Sequence, residues 1–283
     1  MRTLVKYRGG KSREISEFRR FIPEHYDRYI EPFLGGGAVF FDLEPERAII
    51  NDVNEKLMNF YTEVRDSYAQ LRAELGELQL IYEENQAIYA REKALHPDDR
   101  VENMNEELYY RIRSMFNNQI DREYMEGTIY YFVNKTAYSG MIRYNRQGEY
   151  NVPFGRYVHF NTRIITREHS QLLQRAELFN VDYENIFEMV HDEDFMFLDP
   201  PYDCVFNDYG NVDMLNGFDE EQHRRLANNF RNLPCRAMMV IGRTALTEEL
   251  YGDMIRYQYP KRYAVNIRNR FNAEAMHIVV TNY

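Results

Sequence analysis

Short apolar runs separated by turn residues mark both ends of the chain. Two of them, at 28–33 and 48–53, predict buried strands, and FLGGGAVFFDL between them predicts a glycine turn that opens a helix. After Leu172 the pattern returns in four further runs that predict strands, at 177–181, 195–198, 237–241 and 277–281. A helix is predicted at 219–230, between the second and third of these runs. Such alternation indicates an α/β sheet whose first unit is Rossmann-like.

The middle of the chain has a different pattern. The stretch 55–126 is charged and tyrosine-rich with few glycines or prolines, which predicts amphipathic helices. Over 128–157 aromatic residues, glycines, asparagines and arginines alternate, which favours a segment for recognition rather than core, with a hairpin near 138–157. We therefore expect two domains, a discontinuous sheet domain and a mostly helical insertion, at 1–55 with 171–283 and at 56–170.

Composition narrows the class of protein. The 283 residues are 44% hydrophobic, enough for one large domain or for a core with a smaller insertion. No apolar run approaches the roughly 20 residues of a membrane span, and the N-terminus MRTLVKYRGGK leaves no room for a signal-peptide core. Two cysteines, Cys204 and Cys235, exclude a disulfide framework and a cysteine-rich zinc site, and no HExxH pattern occurs. We expect a soluble, cytoplasmic, monomeric protein without a metal.

The charge distribution changes this picture. A formal net charge of −10 opposes a polyanionic partner, because contacts with phosphates require Lys and Arg. Between Thr128 and Arg167, however, six basic residues stand against the single acid Glu149. This local excess is what a nucleic-acid-binding segment needs, but a solvated loop with scattered arginines explains it equally well.

The motif Asp199-Pro200-Pro201-Tyr202 is the strongest local signal for chemistry. It follows the apolar run at 195–198, so it would lie in the crevice where open α/β sheets bind ligands. The carboxylate of Asp199 and the carbonyl of Pro200 can accept hydrogen bonds from an adenine amine and stabilise the positive charge that develops during methyl transfer. Tyr202 offers a stacking face for a flipped base. The alternative is a proline-stiffened turn with a helix-capping Asp.

A second motif, EPFLGGGA at 31–38, places a glycine turn between a strand and a helix, where a ligand can approach the backbone closely. The dinucleotide fingerprint GxGxxG fails, because Phe40 occupies the position of its third glycine. Asp52, at the end of the next strand, lies where an acid can bind ribose hydroxyls, but it could equally cap the following helix. By itself KYRGGK, at 6–11, is only a basic, flexible end.

Taken together, seven motifs in this order resemble the Dam-type DNA N6-adenine methyltransferases: KYRGGK, EPFLGGGAVFFDL, NDVN, SGMIRYNRQGEYNVPFGRY, VDYENIF, FLDPPYD and HIVVTNY. The resemblance covers nearly the whole chain. It implies a Rossmann-like sheet that binds S-adenosylmethionine (AdoMet), with 56–170 as the target-recognition domain. Double-stranded DNA is the implied partner, and some such enzymes have a cognate restriction endonuclease that acts separately.

The resemblance also implies roles for individual residues. The AdoMet pocket would be formed by Lys6, Tyr7, Lys11, Glu31, Phe33, Gly35, Gly37, Asp52, Asp182 and Asp199. Within it Asp52 would bind the ribose and Asp182 the adenine amine of the cofactor. The target adenine would be held by Asp199, Pro200, Pro201 and Tyr202. Contacts with DNA would come from Lys135, Tyr138, Ser139, Arg143, Asn145, Pro153 and Arg156.

The target sequence is expected to contain GAT. An arginine such as Arg143 can engage guanine bidentately in the major groove, which favours a guanine beside the target adenine. The expected site is GATC, with CATG as the alternative. Two positions depart from the family pattern: Ser139 stands where an Asn is usual, and Gly242-Arg243 stands where Ser-Asn is common. The first departure leaves the outer base contacts open.

Three alternative functions are compatible with part of this sequence pattern. An AdoMet-dependent enzyme acting on RNA or on a protein amide would present an amine to a similar turn, but such enzymes usually carry Asn at the position of Asp199. An inactive DNA-binding regulator with the same fold is disfavoured by the intact motif at 199–202. A nicotinamide oxidoreductase is disfavoured by Phe40.

Overall fold

A seven-stranded sheet forms the centre of the computed structural model, which describes residues 1–140, 142–202, 218–261 and 275–283. The strands are β1 (Tyr29–Glu31), β2 (Ala48–Asn51), β3 (Ala176–Phe179), β4 (Phe195–Leu198), β5 (Arg236–Gly242), β6 (Ile255–Lys261) and β7 (Ala275–Thr281). They are arranged in the order β3-β2-β1-β4-β5-β7-β6.

Helices connect most of the strands. In the described ranges the α-helices are α1 (Ile15–Phe18), α2 (Ala38–Leu43), α3 (Glu55–Asp66), α4 (Tyr68–Leu95), α5 (Met104–Phe116), α6 (Glu126–Thr136), α7 (Arg167–Leu173), α8 (Tyr183–Phe187), α9 (Glu220–Arg231) and α10 (Ala245–Tyr251). Short 3₁₀ turns lie at Lys11–Arg13, Arg19–Phe21, Tyr138–Gly140 and Gly252–Met254. The α/β class expected from the sequence is confirmed.

The central strands are apolar on both faces, because helices cover both sides of the sheet. In β4, Phe195 and Phe197 belong to one hydrophobic core, whereas Met196 and Leu198 belong to the core on the opposite face. This alternation follows from the period of two residues in a strand. The continuous apolar run FMFL at 195–198 is therefore what a doubly covered strand requires.

The strand order reverses at β1, and this reversal positions the site. β1 lies between β2 and β4, and the pairs from β3 to β5 are all parallel. β7 runs antiparallel between β5 and β6. The carboxyl ends of β1, β2 and β4 therefore meet at one edge, next to Glu31, Asp52 and Asp199. In open α/β sheets this is where ligands bind.

Each of the six predicted strands overlaps an observed one. The predicted helix at 219–230 is α9, and Asp219 caps it by accepting a hydrogen bond from the amide of Gln222 at 3.0 Å. β6 was not predicted. Its sequence IRYQYPK alternates exposed positions with half-buried ones and the buried Tyr259, and it contains Pro260, which a strand tolerates at the edge of a sheet. This alternation is typical of a strand, but a proline within the run weakens the prediction.

Between β2 and β3 the chain forms α3 to α7. The helices α3, α4 and α5 lie where amphipathic helices are predicted. α6 is almost entirely buried, and Tyr130 and Tyr131 stack on Phe60 with ring centroids 5.7 and 5.8 Å apart. Residues 128–136 are therefore part of the core, and the prediction that this part of 128–157 is not core is wrong. Aromatic residues are common both in cores and in recognition segments, so the composition of this stretch did not show which of the two it forms.

An irregular antiparallel hairpin follows α6. Isolated bridges join Ala137 to Phe154 and Tyr144 to Tyr150. The amide of Asn151 also donates to the carbonyl of Arg143 at 3.1 Å. The hairpin lies in the stretch where the sequence predicts one. Met141 lies outside the described residues.

Candidate active site

A cavity opens at the edge where β1, β2 and β4 end. Its empty space, including the open mouth, is about 910 Å³. Four of its walls come from the N-terminal segment around Tyr7, the turn after Glu31, the end of β2 at Asp52, and the start of α8. The motif at 199–202 completes the lining. Segments that are far apart in the sequence thus converge on one cavity.

The glycine turn is required by both conformation and packing. Gly35 has a φ of +49°, and a Cβ there would lie 2.8 Å from the ring of Tyr7. Gly37 has a φ of +65° and precedes α2, where a Cβ would lie 2.9 Å from the ring of Phe41. Gly35 therefore lets Tyr7 close over the cavity. Gly37 does not line the cavity and serves the packing of α2.

Asp52 is buried and holds the glycine turn. Its Oδ2 accepts a hydrogen bond from the amide of Gly35 at 2.8 Å, and its Oδ1 accepts one from the amide of Asn54 at 2.9 Å. Burial raises the pKa of Asp52 above its ordinary value, although the two amides oppose this rise. Asn54, not Asp52, caps α3 by accepting from the amide of Leu57. Asp52 therefore joins the turn to the end of β2 and lines the cavity.

Glu31 lies at the end of β1 on the floor of the cavity. The hydroxyl of Tyr29 donates to its Oε2 at 2.8 Å, and the amide of Phe40 donates to the same oxygen at 3.2 Å. Burial raises the pKa of Glu31 well above its ordinary value, and the charge of Asp199 adds to the rise. A buried carboxyl group with a raised pKa loses its proton most readily when a cation binds beside it.

Lys11 and Asp199 form an ion pair in which the lysine is buried and the carboxylate is 21% exposed to the cavity. The ammonium of Lys11 lies 2.6 and 2.7 Å from the two carboxylate oxygens of Asp199, and the Lys11 side chain is only 2% exposed. Burial raises the pKa of Asp199, whereas the charge and hydrogen bonds of Lys11 lower it. The same ammonium lies 4.9 Å from the centre of the Tyr202 ring. This pairing of the KYRGGK and DPPY motifs has no signal in the local sequence.

Asp182 lies at the start of α8 and pairs with α9. Its Oδ1 accepts from the amide of Glu184 at 3.0 Å, and both of its oxygens accept from Arg225 Nη2 at 2.9 Å. Arg225 Nε also donates to the hydroxyl of Tyr183 at 2.9 Å. The ring of Tyr183 packs on that of Phe33, 5.2 Å away, so both rings form one wall. Sequence reasoning missed Arg225, because α9 resembles an ordinary surface helix.

Other residues at the cavity were missed as well. Asn51 is fully buried, and its Nδ2 donates to the carbonyls of Pro32 and Val181 at 2.9 and 3.0 Å. It therefore holds the ends of three chain segments together. Arg8 and Tyr183 also line the cavity. Tyr183 directly follows Asp182 in VDYENIF, and Asn51 directly precedes Asp52 in NDVN, so both could have been found from those motifs.

Lys6 and Lys135 do not line the cavity. Lys6 Nζ donates to the carbonyl of Lys135 at 3.1 Å and lies 3.9 Å from the centre of the Tyr157 ring. Lys135 Nζ lies 5.1 Å from the centre of the Tyr131 ring. Burial, together with the charge of Lys6, lowers the pKa of Lys135 to about 8. The two lysines thus join the N-terminal segment to the hairpin.

The remaining predicted DNA contacts lie on the hairpin. Four of them are exposed, namely Tyr138, Ser139, Pro153 and Arg156. Arg143 is exposed too, and its Nε donates to Asn151 Oδ1 at 2.8 Å. The side chain of Asn145 accepts from the amides of Gln147 and Glu149 and so organises the turn of the hairpin.

Two further findings concern the described part of the chain. There, no three side chains of His, Cys, Asp or Glu are grouped in a way that could hold a metal ion. None of the helices described is both long and apolar enough to cross a membrane. Cys235 is buried, and Cys204 lies outside the described residues.

The fold and the cavity define a class of protein. A mixed α/β structure with a seven-stranded sheet and a ligand cavity at the switch point is consistent with the fold of AdoMet-dependent methyltransferases. The family model described as D12 class N6 adenine-specific DNA methyltransferase matches residues 7–265. The chain belongs to this family and is an adenine-specific DNA methyltransferase.

Similar proteins carry corresponding names. The chain is 34% identical to the type II methyltransferase M.CviBI of Paramecium bursaria Chlorella virus NC1A, over the full length of both chains. It is 31% identical to the type II methyltransferase M.MjaIII of Methanocaldococcus jannaschii, over 90% of this chain and 88% of that one. It is 29% identical to a DNA adenine methylase of Vibrio cholerae, over 71% of this chain and 65% of that one.

Proposed function

We propose that this protein transfers the methyl group of AdoMet to N6 of an adenine flipped out of duplex DNA. The observation that carries the proposal is the single cavity in which the glycine turn, Asp52 and Asp182 face the Lys11–Asp199 pair. A cofactor and a target amine can therefore meet at Asp199.

The residues present fit AdoMet. The cavity is lined by four acids, Glu31, Asp52, Asp182 and Asp199, which suit a ligand with a sulfonium and an ammonium group. Asp52 has acceptor capacity beyond its two amide contacts and would bind ribose hydroxyls. Asp182 and the wall of Phe33 and Tyr183 would hold the adenine of the cofactor. When bound, AdoMet supplies an electrophilic methyl group together with its own leaving group.

The target amine would be oriented by Asp199 and by the carbonyl of Pro200. Both are acceptors, so they would draw the amine hydrogens away from the ring plane and direct the nitrogen lone pair toward the methyl group. Lys11 opposes protonation of Asp199 and keeps it available as an acceptor. Tyr202 would stack on the flipped base, as in other enzymes that act on extruded bases.

We further propose that 56–170 forms the target-recognition domain and that its hairpin reads the DNA. Arg143, Pro153 and Arg156 would face the bases, and Tyr138, 53% exposed, would fill the gap left by the flipped adenine. The proposed site is GATC, with CATG as the alternative. Lys6 and Lys135 would lie where the hairpin meets the cavity. We propose that the enzyme acts as a monomer, with any restriction endonuclease separate from it.

Single-molecule sequencing of unmodified DNA, after incubation with the protein and AdoMet, tests this function. N6-methyladenine within one short palindrome is the expected product. An Arg146→Ala variant, which changes an exposed arginine of the same hairpin, should keep the same site. Methyl transfer to RNA or protein but not to DNA, or no transfer at all, would refute the proposal.

A further inference from the structure

A buried polar cluster lies beside the cavity and has no role in the function proposed above. Its centre is Glu14, which follows the 3₁₀ turn Lys11–Arg13 and is 4% exposed. The Glu14 carboxylate accepts hydrogen bonds from His277 Nδ1 at 2.7 Å, from the hydroxyl of Tyr259 at 3.0 Å and from Lys261 Nζ. The cluster thus ties the N-terminal segment to β6 and β7.

The ionisation of Glu14 depends on these donors. Burial alone would raise its pKa, but the hydrogen bonds from His277 and Lys261 outweigh burial and hold the pKa at about 2. Apolar side chains of similar volume would join a helix to a sheet at no greater cost, because a buried charge must first lose its water. Packing of the sheet therefore does not explain why an ionised cluster lies here.

The neighbours of the cluster indicate a role. The amide of Glu14 donates to the carbonyl of Lys11 at 2.7 Å, and the ammonium of Lys11 pairs with Asp199. On the other side, the ring of His277 meets that of Tyr202 edge to face, with centroids 5.1 Å apart. His277 therefore contacts the ring of Tyr202, and Glu14 contacts Lys11 through the main chain of the turn, which its carboxylate anchors to β6 and β7.

We propose that Glu14 and His277 are positioning residues for methyl transfer, which fix Lys11 and the ring of Tyr202 on either side of Asp199. The inference rests on the proposed function, because it assigns the flipped adenine to the space between Tyr202 and Asp199. A base stacked on a ring that can tilt spends less time in the geometry for attack. Misplacement by about 1 Å can reduce a rate by about 100-fold.

Two substitutions separate the contacts of His277. His277→Asn keeps a donor near the position of Nδ1 and removes the ring, whereas His277→Phe keeps a ring and removes the donor. Glu14→Gln keeps the shape of the acceptor and removes its charge. The control is Tyr257→Phe in β6, which removes a hydroxyl 3.4 Å from Glu17.

The decisive measurement is the single-turnover rate of methyl transfer to duplex DNA, with AdoMet affinity from calorimetry and the melting temperature recorded for each variant. Both His277 variants and Glu14→Gln should lose about 10- to 100-fold in rate, with AdoMet affinity within about threefold of wild type. The control should keep the wild-type rate.

Rates within about twofold of wild type for the His277 and Glu14 variants would overturn the inference. Rate losses that merely match losses of AdoMet binding would also overturn it, since they would show a structural role. If the His277 variants do not fold, Tyr259→Phe takes their place. This substitution removes one hydrogen-bond donor to Glu14 and keeps the rings at positions 259 and 277. Its expected rate loss is about three- to tenfold, and a wild-type rate would again overturn the inference. A wild-type protein that transfers no methyl group to DNA would instead refute the proposed function.

Discussion

Replacing Asp199 by Asn should reduce both the stability and the turnover of this protein, for separable reasons. The substitution keeps the shape of the side chain and removes the charge that faces Lys11 Nζ at 2.6 and 2.7 Å. The Lys11 side chain is 2% exposed and that of Asp199 is 21% exposed, so water can replace only part of the lost interaction. Removal of one member of a fully buried pair costs about 3–5 kcal/mol, and the partial exposure of Asp199 together with the remaining amide oxygen places Asp199→Asn at or below the lower value.

The cost to catalysis has a different origin. If Asp199 accepts a hydrogen bond from the amine as positive charge develops, the variant loses a charged acceptor. Loss of one preorganised group of this kind reduces turnover by about 10²–10³-fold, or about 2.7–4 kcal/mol. AdoMet affinity should change much less, because Glu31, Asp52 and Asp182 remain.

A second substitution separates the two effects. Lys11→Met combined with Asp199→Asn removes both charges, so the unpaired buried ammonium disappears and most of the free energy of unfolding should return. Turnover should stay low. Urea denaturation and single-turnover transfer of tritiated methyl groups to DNA measure the two quantities. A rate for Asp199→Asn within about threefold of wild type would refute the assignment of Asp199 to the amine.

Three further predictions concern the cofactor and the DNA. Asp52→Ala should weaken AdoMet binding by about 1–3 kcal/mol in calorimetry, because ribose hydroxyls would lose a buried acceptor, and an unchanged affinity would leave Asp52 only its role in the turn. Since burial raises the pKa of Glu31, binding of cationic AdoMet should release a proton. The affinity should then increase with pH by up to about tenfold per unit below that pKa and level off above it, and Glu31→Gln should flatten this dependence. Arg143→Ala should relax preference at one base position by about 1–3 kcal/mol, whereas Lys135→Ala should weaken binding across all sequences alike, as filter binding to a set of altered sites would show. Equal effects of the two substitutions on every site would contradict the assignment of Arg143.

Much of the architecture could be predicted because its causes are local. A doubly covered strand must be apolar at every position, so FMFL at 195–198 was recognisable without its neighbours. The turn after β1 requires a positive φ at Gly35, and the run of three glycines that begins there predicts such a turn. The edge strand β6 escaped prediction although its apolar and polar residues alternate, because Pro260 within the run argues against a strand. The burial of α6 escaped as well, since aromatic residues suit both cores and binding surfaces.

From the sequence alone follow the class of fold, the position of the cavity at the carboxyl ends of the strands, and the acids and the motif at 199–202 that line it. Only the tertiary structure decided how those residues are paired. Lys11 meets Asp199, and Glu14 meets His277, across separations of 188 and 263 residues. Such contacts depend on how sheet and helices pack, and each residue alone has many partners of suitable charge. The motifs therefore indicate the chemistry of the site, whereas the packing of sheet and helices determines which residues contact one another there.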